Sequence, residues 1–94
     1  MTYTYLDGKG KHAGHGPSIG GAMALHKVVK AAGQTGLYPQ LNQLLATGTC
    51  MNTEQLKGEA LRLLSKVTDR DVKDSLRRLA IAASKAEDGI MLTS

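Results

Sequence analysis

From Ser18 onward the apolar positions of the chain recur three and four residues apart, the spacing of one helix face. Ile19, Met23 and Val29 share a side with His26, and Ala22, Leu25 and Val28 widen the stripe. Ser18 is placed to cap this helix, and Gly33 and Gly36 are placed to end it, which predicts helix one over 18–32. Pro39 suits the first position of a second helix carrying Leu41, Leu44 and Leu45, which Gly48 stops. Asn52 with Gln55 three residues on is a capping-box variant, and Leu56, Ala60, Leu63, Leu64 and Val67 continue at helical spacing behind it. Thr68 or Asp69 caps a fourth helix with Asp71 in its first turn and a stripe of Val72, Leu76, Leu79, Ala80 and Ala83. Gly89 fits its end, with Ile90 folding back on the last turn. Asp69 with Lys73, and Asp74 with Arg78, are acid-before-base pairs four apart.

The first residues follow a different rule. Thr2 to Leu6 alternate as a short strand does. Residues 8–17 then hold four glycines and a proline, which reads as loop. A lone strand over 2–6 has no partner in the sequence, so it pairs across a dimer or is no strand. The connections between helices are short, so successive helices should pack antiparallel. The fold class expected is all-α: a small bundle of about four helices over 18–94, preceded by a flexible Gly/His-rich arm over 1–17.

Composition sharpens this picture. The 94 residues are 41% hydrophobic and 21% charged, ordinary for a folded domain, and include no Phe or Trp. The core must therefore be aliphatic. A single cysteine, Cys50, excludes an internal disulfide and suits a reducing, cytoplasmic setting. No apolar run reaches the ~18–20 residues of a membrane span, so no membrane partner is expected. The net charge is +4, and residues 1–50 carry most of it, with Lys9, Lys11, Lys27 and Lys30 against Asp7 alone. An anionic partner follows from that imbalance.

The candidate chemistry is sparse. His12 and His15, three apart, are two ligands where zinc takes three or four, so no metal and no cofactor is expected. Gly14, Gly16, Gly20 and Gly21 surround the start of helix one, yet neither a P-loop nor a complete dinucleotide fingerprint is present. His26 lies on an apolar stripe, as core or interface histidines do. Cys50 reads as a buried, inert thiol. Asp69, Asp71, Asp74, Glu87 and Asp88 interleave with basic residues as a solvated face does. No catalytic set emerges, and an enzyme is not expected. Residues 41–63 offer helix, turn and helix; Asn52, Gln55 and Lys57 could face DNA, whereas Glu54 and Glu59 would repel its phosphates. The residues assigned to an anionic ligand are Lys9, Lys11, Lys27, Lys30, Arg77 and Arg78.

The segment from Arg77 to Met91 resembles the closing helix of phage proteins that sequester the cyclic-nucleotide signals of bacterial immunity, the anti-CBASS and anti-Thoeris hairpin domain. Arg77, Ala80, Ala82, Ser84, Glu87 and Met91 stand at matching or conservative places, and Gly58 sits about where that family often has a glycine. The likeness covers about a third of the chain. It implies a helical homo-oligomer binding cyclic nucleotides between subunits, with Arg77 and Arg78 among the phosphate contacts.

The function expected is a small non-enzymatic interaction protein, an inhibitor, adaptor or regulator, that binds a protein partner or a second copy of itself. Ile19, Met23, Leu25, Val28 and Val29 supply the interface, because a bundle this small would leave such an apolar helix partly uncovered. Two alternatives stand beside it: a cyclic-nucleotide-sequestering protein, and a basic helical DNA-binding regulator.

Overall fold

The computed structural model describes residues 2–33 and 36–93. The order along the chain is β1 (Thr2–Asp7), β2 (His12–Ser18), α1 (Ile19–Gly33), α2 (Pro39–Thr47), β3 (Thr49–Cys50), α3 (Thr53–Leu64), α4 (Arg70–Lys85) and β4 (Ile90–Thr93). The strands form one antiparallel sheet in the order β2-β1-β4-β3. The expected all-α bundle behind a Gly-rich arm is thus corrected to a mixed fold of four helices on a four-stranded sheet.

All four helices lie where the periodicity predicts them. Two ends differ: α3 stops at Leu64 and α4 at Lys85, short of Gly89. Asp69 caps α4, its Oδ1 accepting from the N–H groups of Asp71 (2.9 Å) and Val72 (3.1 Å). Asn52 does the same for α3, accepting from Gln55 N–H at 3.1 Å. The Ser18 side chain lies outside the described residues.

The strand signal over 2–6 is β1, which pairs within the chain with β2 and β4 and not across a dimer. The other three strands lie in segments of two to seven residues that read as loop or helix end. In β1, Tyr5 and Asp7 are buried, the Asp7 carboxylate accepting from Lys9 and Lys11 N–H in the turn to β2. Burial pushes the Tyr5 phenol well above its ordinary pKa. The glycines of β2 serve close packing: a Cβ on Gly14 would stand 3.2 Å from the Cβ of Ala82, so the missing side chain lets α4 settle on the strand. The β1–β2 turn closes with Asp7 N–H on the Lys11 carbonyl at 2.8 Å, and Gly10 occupies its left-handed position. After α4, Asp88 and Gly89 both take positive φ, and this corner swings Ile90–Thr93 back between β1 and β3.

The core is aliphatic, as the composition requires, with Tyr5 and Tyr38 as its buried aromatics. Helix α4 is its axis, burying Val72, Leu76, Leu79, Ala80, Ala82 and Ala83 against α1, α3 and β2.

Candidate functional site

Three arrangements of side chains carry chemical character. The first is internal. Glu59, on α3, is 1% exposed. Its Oε1 accepts from Gln40 N–H (2.9 Å) and Leu41 N–H (3.1 Å) at the start of α2, and its Oε2 from Gln55 Nε2 (3.0 Å). Tyr38, at the cap position of α2, gives no side-chain bond, so a carboxylate from another helix caps it instead. Gln40 in turn accepts the Cys50 thiol hydrogen at 3.0 Å. Burial, foremost, pushes the Cys50 thiol up from its ordinary pKa, so this cysteine is a poor nucleophile. The cluster is fully bonded and holds α2, β3 and α3 together.

The second arrangement is a furrow between α3 and α4. One end, of about 500 Å³, is lined by Thr53, Glu54, Lys57, Gly58 and Ala83 among others. The adjoining end, of about 290 Å³, shares Lys57, Leu61 and Ser84 and adds Arg77 and Ile81. Gly58 opens it, since nothing lies within 4 Å of where a Cβ would stand. Leu61 (46% exposed) and Ile81 (55% exposed) are large apolar side chains left in solvent along this furrow. Lys57 and Arg77 flank them, with Glu54 toward the wider end.

The third lies on the other side of Ile81. A shallow pocket of about 290 Å³ is lined by His12 and His15 from β2 and by Arg78, Ile81 and Lys85 from α4. The two imidazoles meet edge to face, ring centroids 4.9 Å apart.

The residues singled out in the sequence are dispersed by this fold. Lys9 sits in the β1–β2 turn, 3.0 Å from Glu87 and 3.9 Å from Asp88, and the Glu87 hydrogen bond, foremost, raises its pKa. Lys11 is exposed in the same turn, and Lys27 and Lys30 are exposed on α1. Arg77 lines the furrow, and Arg78 lines the histidine pocket, its Nε donating to Asp74 at 2.8 Å. Of the apolar interface set, Leu25 and Val29 are buried in the chain's own core and Val28 packs against it, while Met23 is 61% exposed. The Ile19 side chain lies outside the described residues. Helices α4 and α2 and strand β2 pack against α1. His26 is exposed beside Lys30 and Asn42, off the core. The predicted Asp69–Lys73 pair gives way to the cap on α4.

The helix-turn-helix segment contains β3 between its helices, and Glu59 is turned inward. Of the positions behind the phage-protein resemblance, Arg77, Ala80, Ala82 and Ser84 lie on α4, Glu87 in the following turn and Met91 in β4. Among the described residues no group of three or more His, Cys, Asp or Glu is placed to hold a metal ion, and no helix is long and apolar enough to cross a membrane. The furrow itself was not foreseen; its one sequence signal was Gly58 inside an otherwise strong helix. A scan against protein-family models and searches of curated proteins and of solved structures each return no match.

Proposed function

We propose that the protein is a non-enzymatic binding module whose docking surface is the α3–α4 furrow, and that its partner is a protein segment forming an amphipathic helix with acidic flanks. The observation that carries this reading is the pair of exposed apolar side chains, Leu61 and Ile81, set between Lys57 and Arg77. A furrow between two helices accepts the apolar ridge of a third, and anchors at three- and four-residue spacing give such a partner its register. The cationic rim selects acidic flanks and speeds encounter. A free thiol at Cys50 fits a reducing compartment for this work.

Selection from a random helical peptide library on the immobilised full chain tests the proposal. Enriched peptides should carry apolar residues three and four apart with Asp or Glu beside them. Their affinity should fall at least about tenfold on Leu61→Asp or Ile81→Asp, a loss within the range of a single anchor residue. Both positions are exposed, so these variants should keep the native melting temperature. Peptides that bind the double variant equally well, or a furrow already filled by a second copy in solution, would overturn it.

A further inference from the structure

We infer that the pocket between β2 and the C-terminal half of α4 binds a phosphoryl group, carried either by a small ligand or by a nucleic-acid backbone. The backbone of β2 is shaped for this. In a regular strand, residues three apart face opposite sides of the sheet. Here Tyr5 pairs with Gly14 and Leu6 with His12, so Ala13 is an extra residue, a bulge. Ala13 is buried and both neighbouring histidines are exposed. The bulge therefore turns His12 and His15 to the same side, where their rings meet and line the pocket. Re-aiming a side chain in this way is a recurrent use of bulges beside functional sites.

Helix α4 supplies the charge. Arg78 and Lys85 are seven residues apart, two turns along the same helix side, with Ile81 between them as an apolar floor. Asp74 holds only the Nε of Arg78, which fixes the guanidinium plane and leaves its two terminal nitrogens to donate in a fork to phosphate oxygens. No acidic side chain lines the pocket. Neither imidazole is hydrogen-bonded within the described chain, so both have ring N–H groups to offer an anion. Two imidazoles, a guanidinium and an ammonium thus converge on one concavity from two elements whose relative position the Gly14–Ala82 contact fixes. Except for Ile81 the pocket shares nothing with the furrow, and the inference does not rest on the proposal made for that surface.

Proton NMR of the full chain tests it, because the chain has three histidines and the third, His26, lies on α1 away from the pocket. Inorganic phosphate, adenosine monophosphate and a short thymidylate oligomer are titrated separately. His12 and His15 ring resonances should shift saturably while His26 stays still. Lys85→Glu should weaken binding about tenfold, the loss of one charge-assisted contact, and His12→Ala with His15→Ala should do the same. Tighter binding of the monophosphate identifies a small ligand, and tighter binding of the oligomer a nucleic-acid backbone; either supports the inference. It is overturned if no probe gives saturable shifts, if all three histidines move together, or if Lys85→Glu binds as the parent does.

Discussion

Glu59→Ala removes the one side chain that caps α2. Its carboxylate accepts two backbone N–H groups at the start of that helix, at 2.9 and 3.1 Å, and a third bond from Gln55. An amide left without a partner in a buried place costs ~1–3 kcal/mol, and loss of a cap alone ~1 kcal/mol. Water reaches the partly buried Gln40 N–H more readily than Leu41 N–H, and removing the charge returns some desolvation energy. The net destabilisation should be about 2–3 kcal/mol, a fall of roughly 10–20 °C in Tm for a domain of this size. Glu59→Gln keeps one acceptor oxygen toward α2 and should lose about half as much. Thermal melts by circular dichroism give the stabilities. Hydrogen exchange should show the amides of 40–44 losing protection before those of α4. A loss under ~0.5 kcal/mol for alanine, within the range of an ordinary surface change, would refute the capping argument. So would equal losses for alanine and glutamine.

Three further outcomes follow from other contacts. Lys11 N–H, foremost, and Lys9 N–H hold the Asp7 carboxyl below its usual pKa, so its folded value lies under its unfolded one. Its contribution is present above the unfolded pKa and is lost as pH falls through the folded value; Asp7→Asn should flatten the acid limb of a stability-versus-pH curve. Gly8→Ala drives a Cβ into the Asp88 backbone carbonyl and should cost about 2–3 kcal/mol, whereas Gly10→Ala, which meets no atom but has φ +82°, should cost only ~1–2 kcal/mol; urea titration separates them. Gly58→Ala should raise stability by up to ~1 kcal/mol, since the helix gains propensity and the Cβ meets nothing, while weakening any peptide that fills the furrow.

The helices were legible because each repeats its signal over nine or more residues and carries its own punctuation, from Pro39 and Gly48 around α2 to Asn52 before α3 and Asp69 before α4. The strands were not, for a reason specific to each. The alternation of Thr2 to Leu6 was visible, but its partners were disguised. β2 is full of glycine because a helix lies on it, and β4 follows a glycine that equally marks a helix end. β3 is two residues long. Leu25 and Val29 read as a sticky flank, yet they are buried in a core where α1 packs on α4, α2 and β2. The inward turn of Glu59 was equally illegible, since a glutamate on a charged helix is ordinarily solvated. His12 and His15 could be noted as a pair, but the bulge that sets them on one side belongs to the register with β1, which no local pattern encodes.

The central ladder of the sheet joins segments from opposite extremes of the chain, Thr4 opposite Thr93 and Asp7 opposite Ile90. The hairpin β1–β2 and the helices can organise from neighbours in sequence, whereas this ladder must close a loop of nearly the whole domain, an entropic barrier of roughly 4 kcal/mol. Its closure is therefore the slow, late event of folding, and until then the edges of β1 and β3 that face β4 stand without their neighbour. On the ribosome β4 emerges after β1 to β3 and the four helices, so until it arrives the domain waits half-built, its open edges exposed to capture by other chains.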